Sequence, residues 1–71
     1  MKFYYTYIIQ SVKDGNFYTG FTEDLRKRLQ EHNQGKTISN KWRIPFGLIY
    51  YEACLNKEDA KRREKYLKSG I

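Results

Sequence analysis

The chain has 71 residues, room for one domain and no second, and a domain this short buries only roughly 60% of the surface its unfolded form exposes. Hydrophobic residues at 39% and charged residues at 31% exclude both a disordered chain and a membrane-embedded one. Lysine and arginine number 14 against 8 acids, a net charge of +6; residues 36–71 carry 9 of those bases and 4 of the acids, so the second half is the half that would attract a polyanion.

Phe3–Gln10 mixes aromatic and β-branched residues and reads as a first strand. Asp14-Gly15 supplies a two-residue hairpin turn, and Phe17–Gly20 returns as a second strand. Such a turn pairs Lys13 with Asn16 and Ser11 with Tyr18, which puts Tyr18 on the sheet face of Tyr7 and Ile9. Thr22 caps a first helix, with Glu23 and Asp24 in its first turn, and Gly35 stops it. Its apolar stripe, Leu25 and Leu29, carries Arg28 and His32 along with it, so two polar groups face inward. Lys36–Pro45 is a basic loop and Phe46–Cys54 a third strand. Asn56 caps a second helix with Asp59 at its third position and a staple between Leu55 and Ala60; Ser69-Gly70 closes it. Glu64 lies between Ala60 and Leu67 on the inward stripe of that otherwise basic helix. The order strand, strand, helix, strand, helix implies an α+β fold in which helices cover a three-stranded sheet.

A single cysteine, Cys54, and a single histidine exclude an internal disulfide and a four-ligand zinc site. They fit a reducing, cytoplasmic compartment. The first residues lack a secretion signal, and no run approaches the roughly 20 apolar residues of a membrane helix. Ser-His-Asp order, a phosphate-cradling glycine loop and CxxC are all missing, and nothing calls for a small-molecule cofactor.

Arg28, His32 and Glu64, with Tyr7 and Tyr18, form one candidate constellation. Arginine neutralises a phosphodiester, a lone carboxylate is a suitable hard ligand for Mg²⁺ or Mn²⁺, and a tyrosine or histidine can take a proton from water. Each residue also has a plain structural reading. Arg28 and His32 can flank the core with wet tips, Glu64 can be one half of a salt bridge, the tyrosines can be core residues, and Cys54 a small buried side chain. Lys36, Lys41, Arg43, Lys61 and Arg62 offer charge to phosphates. Trp42 suits either a base contact or a lid over the core.

The order of these residues resembles the GIY-YIG nuclease superfamily, and within it the small stand-alone bacterial members. Tyr5-Thr6-Tyr7 stands at the first signature triplet, keeping its tyrosine but neither its glycine nor its isoleucine, and Tyr18-Thr19-Gly20 at the second. Arg28 falls at the catalytic arginine, His32 where many members place a histidine, and Glu64 at the metal-binding glutamate. The resemblance runs over essentially the whole chain. It implies a three-stranded antiparallel sheet flanked by helices and divalent-metal-dependent cleavage of DNA; the functional reading is then a metal-dependent endonuclease or structure-selective nickase, with a nucleic-acid-binding module that keeps the fold but lacks efficient cleavage as the alternative. It also implies a further short basic segment beyond Gly70-Ile71, so that 1–71 reads as a nuclease domain shortened at its C-terminus. The inward stripes of the two helices, with the hairpin register, predict Arg28 and Glu64 as opposite walls of one groove over the sheet face bearing Tyr7 and Tyr18.

Overall fold

Thr6, Tyr7, Ile8 and Ile9 are all buried, and a run buried on both sides belongs in the middle of a sheet. Accordingly β1 (Tyr4–Ser11) is the central strand, paired antiparallel with β2 (Phe17–Thr22) on one edge and β3 (Phe46–Cys54) on the other, in the order β2-β1-β3. The helices are α1 (Leu25–Asn33) and α2 (Lys57–Gly70). The computed structural model describes residues 1–36 and 43–70. This is the expected α+β order, with the first strand one residue later and the second two residues longer than composition suggested.

The hairpin differs from the Asp14-Gly15 expectation. Ser11 N–H donates to Asn16 O at 2.9 Å, leaving a four-residue loop of residues 12–15. The cause is the Ser11 hydroxyl, which accepts the N–H groups of Lys13 (3.1 Å) and Asp14 (3.2 Å), while Gly15, at φ +76°, donates to Ser11 O. The register therefore moves by two residues, Ile9 facing Tyr18 and Tyr7 facing Gly20. An even shift preserves side-chain direction, so Tyr7, Ile9 and Tyr18 do share a face.

Helix α1 begins later than expected. Thr22 stays in β2, opposite Tyr5, and its hydroxyl accepts Asp24 N–H; Asp24 is the N-cap instead, accepting Lys27 N–H at 3.1 Å. Glu23 and Asp24 thus precede the first turn. At the other end Lys36 N–H reaches Glu31 O and Gly35 N–H reaches His32 O, a Schellman closure that the φ of +73° at Gly35 permits. Helix α2 is capped as expected, Asn56 Oδ1 accepting Asp59 N–H at 3.0 Å. Leu55 nevertheless remains 53% exposed, and Cys54 is half-buried with its thiol donating to Asn56 O, so neither fills the core.

The two helices cover opposite faces of the sheet. Tyr7 bonds to His32 of α1, whereas the adjacent Thr6 donates to Ala60 O of α2 at 2.8 Å, and neighbouring strand residues point to opposite sides. On the α1 side Tyr7, Ile9 and Phe46 form the core, packed by Tyr18, Leu25, Leu29, Ile44 and Leu48. Asn33 clips α1 to the start of β3, its Oδ1 accepting Phe46 N–H and its Nδ2 donating to Phe46 O. Among the described residues no helix is long and apolar enough to cross a membrane.

Candidate active site

Tyr7 is the centre of the site. It is 4% exposed, its hydroxyl lies 2.9 Å from His32 Nε2, and its ring meets the imidazole edge-on. Gly20, its cross-strand partner, makes this pose possible, because a Cβ there would collide with the phenol. His32 is 6% exposed and also packs edge-on against Phe46, so the imidazole is fixed from two sides.

Arg28 sits one helical turn before His32 on the same side of α1. Its side chain is 41% exposed, puts the guanidinium 3.6 Å from the Glu31 carboxylate, and lines a shallow cleft with Thr22, Asp24 and Lys27. Burial pushes the Tyr7 phenol above its ordinary pKa, the Arg28 charge opposes that shift, and Glu64 and Glu31 add to it. The Tyr7 hydroxyl therefore feels one cation and two carboxylates, one of which arrives from the far helix.

Glu64 reaches this neighbourhood from the other side of the sheet. Lys61 lies over the Phe21 ring of β2 at 5.7 Å, and Glu64, three residues on, occupies the same flank of α2. That flank is the β2 edge, where Gly20 interposes no side chain. The Glu64 side chain is only 22% exposed and pairs with Lys68 at 3.0 Å. The expected groove with Arg28 and Glu64 as walls over one sheet face is thus corrected, because the helices that carry them lie on opposite faces. Both charges still act on the Tyr7 phenol, Arg28 lowering its pKa and Glu64 raising it.

Tyr18 is half-buried, its ring edge-on to Phe46 at 5.3 Å and its hydroxyl bonded by an Arg43 guanidinium N–H. Arg43 in turn binds Asp14 at 3.1 Å, so this cation is engaged within the protein. Of the remaining candidate nucleic-acid residues, Lys36 is exposed just beyond α1, Lys61 stacks on Phe21, and Arg62 is 75% exposed beside Asp59. Lys41 and Trp42 lie outside the described residues.

Among the described residues no group of three or more histidine, cysteine or acidic side chains could hold a metal. Glu64 alone fits the habit of Mg²⁺, which keeps most of its waters and takes one or two carboxylates plus substrate phosphate. Lys68 pairs with one oxygen of that carboxylate, so a cation there competes with the ammonium. Sequence reasoning passed over Glu31, Lys68 and Asp14; the first two stand three and four residues from Arg28 and Glu64, a spacing readable in advance, whereas Asp14 meets Arg43 only through the fold.

The family model of the GIY-YIG catalytic domain matches residues 3–70. Among curated proteins, UPF0213 protein SpyM3_1077 of Streptococcus pyogenes is 43% identical over 65 residues, covering 90% of this chain and 70% of that protein. UPF0213 protein SpyM50708, from another strain of that species, is 42% identical over the same shares. The solution NMR structure of UPF0213 protein BH0048 from Bacillus halodurans superposes with a TM-score of 0.57 at 38% identity, covering 94% of this chain and 71% of that one. Signature triplets, fold and matches agree, and the chain belongs to the GIY-YIG family, whose membership supports a nuclease-like function.

Proposed function

We propose that the protein is a divalent-metal-dependent endonuclease that hydrolyses DNA phosphodiester bonds, with structure-selective cleavage as the mode that suits a small domain. The observation that carries this reading is the buried Tyr7 hydroxyl held 2.9 Å from His32 Nε2, with Arg28 one helical turn before His32 on the same side of α1. Glu64 would hold the Mg²⁺ or Mn²⁺ ion, which when bound neutralises charge at the scissile phosphate and acidifies nearby water.

Arg28 binds a non-bridging oxygen of the same phosphate and stabilises the charge that builds there during attack. Tyr7 orients the attacking water. A phenol is protonated at neutral pH and burial raises its pKa further, so Tyr7 works as a relay: the water proton passes to the phenolic oxygen while the phenol proton passes to His32 Nε2, in the tautomer whose Nε2 is the acceptor. Tyr18 places a second hydroxyl on the same face. Lys36, Lys41, Trp42, Lys61 and Arg62 are the expected DNA contacts; Arg43, the sixth that the sequence offered, is tied to Asp14 and Tyr18 instead.

The test incubates the protein with nicked, branched, flapped and single-stranded DNA, with Mg²⁺, Mn²⁺ or EDTA, beside Glu64→Ala. Cleavage only with metal, lost in Glu64→Ala while salt-sensitive DNA binding survives, supports the reading. Cleavage in EDTA or in Glu64→Ala overturns it. The second reading is a nucleic-acid-binding module with feeble cleavage, and the Lys68–Glu64 pair favours it, because the carboxylate is already neutralised. Salt-sensitive binding with no cleavage under any metal selects that reading.

A further inference from the structure

The Tyr18 side of the site is built from three separate stretches of chain. The Arg43 guanidinium donates one N–H to the Tyr18 hydroxyl, lies 5.6 Å from the centre of the Tyr18 ring, and binds Asp14 Oδ2 through Nε at 3.1 Å. Its backbone is fastened as well. Buried Ser11 donates its hydroxyl to Arg43 O at 2.6 Å, and Val12 N–H donates to Pro45 O at 2.9 Å. Asp14 is itself held in the turn, its Oδ1 accepting Asn16 N–H. The β1–β2 turn thus grips the segment before β3 by both main chain and side chain, and Arg43 is where the grips meet.

That arrangement is poorly suited to grasping a phosphate. The guanidinium has spent its Nε on a carboxylate that balances its charge, and the exchange of Asp14 for a phosphate would gain little. It is well suited to fixing a phenol. An oxygen that accepts from a cation turns its own O–H away from that cation, and Tyr18 is left with one proton to offer in one direction. The ring packs edge-on against Phe46, and Tyr18 lines an open groove with Gly15, Asn16, Phe17 and Arg43.

We propose that Arg43, anchored by Asp14, is a positioning residue that sets the direction of the Tyr18 hydroxyl, so that Tyr18 rather than Arg43 meets the phosphodiester or its attacking water. The inference rests on the nuclease reading above for its substrate, and on the geometry alone for the tie itself.

The test measures single-turnover DNA cleavage and salt-dependent DNA affinity for the wild type, Arg43→Gln, Asp14→Asn, Tyr18→Phe and the Arg43→Gln/Tyr18→Phe pair. Arg43→Gln and Asp14→Asn should each lose roughly 10- to 100-fold in rate, as for a misplaced reacting group, and Arg43→Gln should do so with affinity and salt slope unchanged. Once Tyr18 is phenylalanine, Arg43→Gln should cost nothing more. Additive losses, or a weaker affinity with a salt slope lower by about one, would make Arg43 a phosphate contact and overturn the proposal. If no DNA is cleaved the nuclease reading falls separately, and the tie is read by NMR: the Arg43 Nε–H should exchange slowly in the wild type and rapidly in Asp14→Asn. Rapid exchange in the wild type overturns it.

Discussion

Gly20→Ala is the sharpest probe of how Tyr7 is seated. A Cβ at position 20 would lie 2.8 Å from Tyr7 Cε2 and closer still to Cζ and the hydroxyl. The ring cannot swing aside cheaply, since it is 4% exposed and its hydroxyl is bonded to His32. Overpacking a tight site costs about 1–3 kcal/mol, and losing the phenol–imidazole bond adds about 1 kcal/mol. A total of about 2–4 kcal/mol is a large share of the roughly 4–10 kcal/mol expected for a chain this long, and it corresponds to a melting point lower by roughly 10–30 °C. Thermal melts followed by circular dichroism measure it. Gly47→Ala on β3 is the control, because a Cβ there meets nothing within 4 Å and alanine loses less chain entropy than glycine. If Gly20→Ala melts with the wild type while Gly47→Ala is also unchanged, the close approach of Tyr7 to β2 is wrong.

Ser11→Ala removes a buried hydroxyl that donates to Arg43 O and accepts two turn N–H groups, so denaturant unfolding should show a loss of about 1–3 kcal/mol. The Tyr7 phenol, raised above its ordinary 10.0 by burial, keeps its proton in the folded state after the unfolded chain has lost it. Its contribution to stability is therefore whole below about pH 10 and falls as pH climbs toward the folded value; Tyr7→Phe should flatten the decline seen in unfolding curves taken through that range. Lys68→Met frees the Glu64 carboxylate, and calorimetric titration with Mn²⁺ should show tighter binding than in the wild type; equal or weaker binding would mean that the cation does not compete for Glu64.

Periodicity and capping chemistry carried much of this fold into the sequence. Asn56 and Asp59 specified the start of α2 because a cap needs only residues three apart, and β3 from Phe46 to Cys54 was bounded by Pro45 and the same cap. Competing local signals went the other way. Thr22 and Asp24 are both good caps, and the choice between them depends on β2 continuing to pair with Tyr5 as far as Thr22. Asp14-Gly15 is a good hairpin turn, yet the Ser11 hydroxyl captures two N–H groups and widens the loop; Tyr18 keeps its face only because the register moved by an even number. A helical stripe shows which side of α1 or α2 meets the sheet, but not which side of the sheet it meets. Nothing local tells that Thr6 takes one helix and Tyr7 the other, so the wrapping of Glu64 around the β2 edge, like the Asp14–Arg43–Tyr18 tie, became readable only in three dimensions.

The central claim is that charges and hydrogen bonds gathered on the Tyr7 hydroxyl serve phosphodiester hydrolysis, and Tyr7→Phe isolates that hydroxyl while keeping the ring that fills the core. Single-turnover cleavage of a DNA substrate by the wild type and by Tyr7→Phe, at equal saturation with DNA and Mg²⁺, is the direct measurement. Tyr7→Phe should cleave more slowly by a factor on the order of 100 or more, with DNA affinity unchanged; a Tyr7→Phe protein that cleaves at the wild-type rate would refute the role of the hydroxyl.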